Sequence, residues 1–244
     1  KNRIAGKKAA IIILSYGTLG HLKKWKDQSS ERRLIVGGCA AQKDKELVRD
    51  RAPWVDVVIG THNTNDVINL LNQSEDWGPI TQIIEESKDI ESEILPVRES
   101  GFSAFVTIQI GCNNSCTFCI VPSVRGIEIS RRPSDIINEI KNLSNEGIKE
   151  ITLLGQNVNS YGRDLMIDNK RSPYFTQLLY KIHEIDGIER IRFTSPHPKD
   201  FKRETLVAVS ELPKIANQIH IPVQSGSDKI LSSMHRGYNQ KKYL

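Results

Sequence analysis

The sequence predicts an α/β protein in two parts, a partial parallel α/β domain at the N-terminus followed by an incomplete (βα) part-barrel. Two observations carry this. Strand-sized apolar runs alternate with stretches of helical periodicity, and in the second part each apolar run is followed by a loop rich in Cys, Asn, Gln, Ser or Gly. A third observation fixes attention on one loop. Three of the four cysteines, Cys112, Cys116 and Cys119, crowd into GCNNSCTFCIVPSVRG at residues 111–126. The expected division is a first domain over residues 1–73, a connection over 74–100, and a second domain of four βα units over 101–244.

In the first part, residues 9–14 read as a strand and residues 17–26 (GTLGHLKKWK) as a basic helix. Residues 34–38 follow as a buried strand, 43–51 as a helix, 55–59 as a strand and 65–71 as a helix, the rhythm of a small parallel sheet. Cys39 comes directly after the strand at 34–38, within GGCAAQ. The carboxyl ends of parallel strands are where ligands sit, although a lone cysteine also reads as a small buried hydrophobe. Residues 74–100 are acidic, with Ile83, Ile84, Ile94 and Leu95 as anchors, and read as a connection along the surface.

The second part is more regular. Residues 105–110 form the first strand, and Ile136, Ile137, Ile140 and Leu143 mark one face of a helix ending near Gly147. Residues 151–154 are a second strand, and Phe175, Leu178, Leu179, Ile182 and Ile185 give the next helical face. Strands at 188–193 and 218–223 enclose a helix at 202–212, and a last helix covers 227–234. In such folds the chemistry lies at the carboxyl ends of the strands. Those ends run into the cysteine loop, into Gly155, Gln156, Asn157 and Asn159, into Ser195, Pro196, His197 and Pro198, and into Gln224, Ser225, Gly226 and Ser227. Each of these is common in ordinary loops. Their joint position on one face points to a site.

Length and composition bound the rest. A chain of 244 residues has ample material for a core, and its net charge of +5 permits a polyanionic partner without requiring one. No apolar run approaches the roughly 20 residues needed to span a bilayer, and no signal-peptide pattern opens the chain. Four cysteines with three clustered argue for metal ligation in a reducing, cytoplasmic setting rather than for a disulfide framework.

The spacing C-x3-C-x2-C offers three thiolates where a closed structural site wants four. A cubane iron–sulfur cluster held by three thiolates keeps one iron open, and the amino and carboxylate groups of a small molecule can chelate it. Gly111 and the αL-tolerant Asn113 and Asn114 let the chain wrap a bulky cluster, and Phe118 stands ready to stack on an aromatic ligand or simply to pack within the loop. The rival is structural zinc completed by Cys39 or one of six histidines, but zinc sites usually come as two spaced pairs and there is no second pair.

The cysteine loop resembles that of the radical S-adenosylmethionine (SAM) superfamily. The runs GCNNSCTFCIVPSVRGIEISRRP, TLLGQNVNSYG, RFTSPHP and HIPVQSGSDKILSSMHRGY closely resemble the methylthiotransferases, in particular the branch acting on isopentenylated adenosine beside the tRNA anticodon. This resemblance implies that Cys112, Cys116 and Cys119 hold a [4Fe-4S] cluster that reduces SAM to a 5′-deoxyadenosyl radical. It also implies that Cys39, in the family's GCxAQ block, is one ligand of a second, sulfur-donating [4Fe-4S] cluster. Phe118, Gly155, Gln156, Asn157, Gln224 and Ser225 become expected SAM contacts. Arg125, Arg131 and Arg132 become expected tRNA phosphate contacts or, in the plainer reading, an ion-paired surface. The implied partners are tRNA and an electron donor such as flavodoxin or ferredoxin, with no membrane and a monomeric chain.

Two departures qualify the resemblance. The first two cysteines of the second cluster would fall upstream of GTLGHLKK and are absent, and the family continues beyond RGYNQKKYL, so the chain reads as a fragment at both ends. Other substrates stay open, namely a ribosomal protein side chain or a differently modified tRNA adenosine, as does a non-catalytic iron–sulfur or zinc module that binds RNA.

Overall fold

The computed structural model describes residues 2–4, 7–13, 16–85, 101–167, 169 and 171–244, with side chains from Tyr16 onward. These divide into two compact units, one drawn from Lys1–Leu95 and Ser123–Gly126, the other from Pro96–Pro122 and Ile127–Leu244. No helix among the described residues is long and apolar enough to cross a membrane.

The first unit is built on a five-stranded sheet in the order β1 (Asn2–Ile4), β2 (Lys7–Ile13), β3 (Arg33–Gly37), β4 (Val57–Ile59) and β5 (Ile80–Gln82). Only the β1–β2 pair is antiparallel. Parallel strands covered on both faces must be apolar on both, and Leu34, Ile35, Val36, Val57 and Val58 are all fully buried. Leu34, Val36 and Val58 pack on one face with Leu19 of α1 (Tyr16–Lys26). Ile35, Val57 and Ile59 pack on the other with Leu70 and Leu71 of α4 (Val67–Trp77).

Two expectations change here. The helix expected at 43–51 is two, α2 (Cys39–Asp44) and α3 (Leu47–Arg51), interrupted at Lys45, whose φ of 49° is left-handed. The connection does not begin at residue 74 either. Ser74 is buried within α4, and β5 pairs with β4 through Val57↔Ile80. Its exposed acidic residues, Glu75 and Asp76, give this stretch the look of a solvated linker, while the other side of the same helix is core. Residues 86–100, with Ile94 and Leu95, lie outside the described residues.

In the second unit three parallel strands lie in the order β10 (Arg190–Phe193), β9 (Glu150–Leu154), β6 (Ser103–Thr107). Ala104, Val106, Ile151, Leu153, Ile191 and Phe193 share one core with Ile136, Ile140 and Leu143 of α6 (Pro133–Asn145) and with Leu178, Leu179 and Ile182 of α7 (Phe175–His183). Each fully buried Leu, Ile or Phe of this set contributes about 1.5–3 kcal/mol relative to exposure. α8 (Arg203–Glu211) adds Val209 to the same core.

The first strand expected at 105–110 is broken. After β6 the chain turns at Ile108, and β7 (Gln109–Ile110) pairs antiparallel with β8 (Ile129–Ser130). The fourth strand expected at 218–223 is absent, and in its place a single parallel bridge, Ile191↔Ile215, extends the sheet past β10. Pro222 has no N–H for a ladder. The carbonyls of Ile221 and Val223 instead accept the hydroxyls of Tyr243 and Tyr238, at 2.7 and 2.8 Å. Among the described residues no closed barrel forms.

Candidate iron–sulfur site

The cysteine loop follows β7 and is lashed down at several points. Gly111 has a φ of +72°, a left-handed conformation that favours glycine. The Asn113 side chain accepts the Glu128 N–H at 2.9 Å, and Asn114 accepts the Lys199 ammonium. Thr117 donates its N–H to Met234 O at 3.1 Å and its hydroxyl to Ser233 O at 2.9 Å, at the end of α9 (Asp228–Ser233). Cys119 N–H closes a turn on Cys116 O at 3.0 Å.

All three thiols are free; Cys112 is buried, Cys116 half-buried and Cys119 exposed. Burial pushes the Cys112 thiol up, a hydrogen bond from the Asn114 backbone opposes this, and the charges of Glu128, Cys119 and Cys116 push it further up. The three sulfurs therefore lie close enough to repel one another once ionised, a cost that a bound cation centre removes. Among the described residues no three Cys, His, Asp or Glu side chains gather closely enough to hold a single ion.

The loop after β9 supplies acceptors. Gly155 is buried, and a Cβ there would stand 2.8 Å from Gln109 Cγ and 3.1 Å from Val158 Cγ1, so any side chain here would force buried Gln109 to shift. Asn157 Nδ2 donates to Asp200 Oδ2 at 2.8 Å, while its carbonyl accepts Gln109 Nε2 at 2.7 Å and Ser160 Oγ at 2.8 Å. Gln109 Oε1, Glu128 Oε1, Gln156 Oε1 and Asn157 Oδ1 are buried with no donor among the described residues. An unmatched buried acceptor costs about 1–3 kcal/mol, so these oxygens suit a partner that carries donors. Burial also raises the Glu128 pKa. For Asp200, burial works in the same direction, but hydrogen bonds from Arg163 and Asn157 outweigh it and keep the carboxylate below its usual range.

The loop after β10 reaches the cysteines directly. His197 Nε2 lies 4.0 Å from Cys116 Sγ, and Asn159 grips the His197 backbone from both sides, accepting its N–H at 2.8 Å and donating to its carbonyl at 2.9 Å. Burial first, then the Arg236 cation, lowers the His197 pKa to about 4.

The expected site residues thus fall into groups. The cysteine loop, Asn157 and the His197–Asp200 segment are linked by hydrogen bonds and close contacts, and Gly155 lies against Gln109 and Val158. Phe118 is 91% exposed. Gln224 is exposed with a φ of 67°, and Ser225 bonds only locally, its N–H to Val223 O and its hydroxyl accepting the Ser227 N–H. Arg131 is an internal clamp, donating to Thr107 O at 2.9 Å and to Glu139 at 2.6 Å, whereas Arg132 is exposed. Cys39 and Arg125 belong to the first unit, where Arg125 Nε donates to Cys39 Sγ at 3.2 Å. Glu128, Asn159 and His197 were not among the expected ligand contacts. Glu128 is hidden in the apolar-looking stretch GIEIS, and the other two read as ordinary loop polars.

The sequence pattern of the Radical SAM superfamily matches residues 106–244. The chain is 48% identical over 233 residues to a tRNA-2-methylthio-N(6)-dimethylallyladenosine synthase of Corynebacterium glutamicum (strain R), covering 94% of this chain and 44% of that one. It is 49% identical over 230 residues to the protein of the same name from Streptomyces viridosporus, with 94% and 45% covered. The chain therefore spans about half the length of these curated relatives. Among solved structures, the radical S-adenosylmethionine methyltransferase TsrM from Kitasatospora setae, bound to tryptophan and a SAM analog, superposes with a TM-score of 0.66 at 12% identity, covering 96% of this chain and 52% of that one. The cobalamin-dependent SAM radical enzyme OxsB superposes at 0.58 and 15% identity, with 96% and 38% covered. At such identities the likeness is one of fold.

Proposed function

The chain belongs to the radical SAM superfamily, and on that premise we propose that it is part of a tRNA methylthiotransferase that adds a methylthio group to C2 of isopentenylated adenosine beside the anticodon. The observation that carries the reading is the C-x3-C-x2-C loop, tied down after β7 by Glu128, Lys199 and the end of α9, in a unit where buried oxygens of Gln109, Glu128 and Asn157 have no donor among the described residues. The extent of identity to curated synthases of that name supports the substrate.

Cys112, Cys116 and Cys119 would hold a [4Fe-4S] cluster through three of its irons. When bound, that cluster supplies the electron that splits SAM into methionine and a 5′-deoxyadenosyl radical, which takes a hydrogen atom from the substrate. The residues around it bind and orient. Gln156 and Asn157, with Glu128 and Gln109, offer acceptors to the amino group of SAM. Gly155 keeps the backbone close, and Phe118, Gln224 and Ser225 line the approach of its adenosyl part. Arg132 and Arg125 meet tRNA phosphates, whereas Arg131 is already committed to Thr107 and Glu139. Cys39 is one ligand of the sulfur-donating cluster, which needs two further thiolates. The chain acts in the cytoplasm as a monomer, fed by a one-electron donor such as flavodoxin or ferredoxin.

Anaerobic reconstitution with iron and sulfide, followed by SAM and a strong reductant, tests the reading. It expects 5′-deoxyadenosine to form. A fully assembled four-iron cluster that leaves SAM intact would overturn it.

A further inference from the structure

We propose that His197 is a positioning residue that donates an Nε2–H hydrogen bond to the Cys116 sulfur and thereby raises the reduction potential of the cluster held there. The inference rests on the reading of Cys116 as a cluster ligand. His197 Nδ1 is the acceptor for the Lys199 backbone N–H at 3.2 Å, capping the single helical turn Pro198–Asp200. A backbone amide can only donate, so in the neutral ring Nδ1 is bare and the proton sits on Nε2. Nε2 is the atom that faces Cys116 Sγ, at 4.0 Å, the long end of the range for a sulfur acceptor.

Two further contacts hold the residue in that direction. Asn159, itself buried, fixes the His197 backbone through two hydrogen bonds. Tyr238 stands edge-on to the imidazole, with ring centroids 5.8 Å apart, and its own hydroxyl is anchored on Val223 O at 2.8 Å. His197 is 9% exposed, so little water competes for Nε2. A donor aimed at a cluster thiolate stabilises the more negative, reduced state, which is how hydrogen bonds to sulfur tune such centres. None of this depends on the ring changing its charge.

The test uses two variants and one measurement on the unaltered chain. His197→Asn keeps an acceptor at the Nδ1 position, and Asn is a good cap, but it has no group that reaches Cys116. His197→Gln places an amide N–H near the Nε2 position. In the reconstituted chain, redox titration followed by EPR is expected to show the His197→Asn cluster harder to reduce, with the reduced-to-oxidised ratio at a fixed potential lower by about fivefold. His197→Gln should recover part of that change. Long-range 1H–15N correlation spectra of the cluster-free chain should show the Nε2–H tautomer. An Nδ1–H tautomer, or an intact four-iron cluster in His197→Asn with an unchanged midpoint potential, would overturn the proposal. Failure to assemble any four-iron cluster in the unaltered chain would overturn the underlying reading of Cys116 instead.

Discussion

The two units use the same device with different completeness. Each has a loop that carries thiols just after a strand, but the first presents Cys39 after β3 of its parallel sheet, with Arg125 Nε 3.2 Å away, and the second presents Cys112, Cys116 and Cys119 after β7, which pairs antiparallel with β8. The difference is in what surrounds the sulfur. In the second unit the cysteine loop is tied to α9, to Lys199 and to Glu128, and several buried oxygens of that unit have no donor among the described residues. Cys39 opens a six-residue helix and has one cationic neighbour. A strand end provides a place for chemistry, and the donor set decides which chemistry can occupy it.

The largest expected effect separates the two regions outright. Cys116→Ala should abolish 5′-deoxyadenosine formation, because two thiolates cannot hold the cubane with a single open iron. Cys39→Ser should leave that yield unchanged. Chromatographic assay of 5′-deoxyadenosine reads both, and a collapse in Cys39→Ser would break the division of labour. Next in size is Asn159→Ala, which leaves the N–H and carbonyl of buried His197 without partners. It should lower stability by about 1–3 kcal/mol in denaturant titration, and a loss below 0.5 kcal/mol would mean that the clamp does not hold the loop.

Phe118→Ala sharpens the comparison from the other direction. Its ring is 91% exposed, so stability should stay within about 0.5 kcal/mol, while SAM binding by the reconstituted chain weakens in equilibrium dialysis. Unchanged SAM affinity would remove Phe118 from the site. The smallest effect concerns His62 of the first unit. Neither of its ring nitrogens has a partner among the described residues, and burial, followed by the Arg125 cation, lowers its pKa below 6.5. The unfolded chain therefore binds a proton that the folded ring resists, so this contribution is full above about pH 6.5 and is lost as pH falls through the lower folded value. His62→Gln should flatten the acid limb of the stability profile, and an unaltered slope would contradict the assignment.

The sequence made the alternation of strands and helices legible, because parallel strands covered on both faces leave unbroken apolar runs such as Leu34 to Val36. It also made the cluster loop legible through the spacing of three thiols. It did not reveal that the apolar run at 105–110 changes partners at Ile108, since hydrophobicity does not encode which strand supplies the hydrogen bonds. The run at 218–223 looked like a strand for the same reason, yet Pro222 and two tyrosine hydroxyls occupy its backbone differently. Arg131 and Arg132 are neighbours of identical type, and only the fold distinguishes a half-buried clamp from a surface cation. His197 was visible as a loop residue, but its direction depends on Asn159 and Tyr238, which are far from it in sequence.

The account stands on the three-thiol loop holding a cluster whose fourth iron meets SAM. Mössbauer and EPR spectra of the anaerobically reconstituted 244-residue chain, taken before and after SAM is added, test this most directly. The account predicts a [4Fe-4S] cluster with one iron altered by SAM and 5′-deoxyadenosine released upon reduction. Stoichiometric zinc, or a four-iron cluster with identical spectra in the presence of SAM, would contradict it.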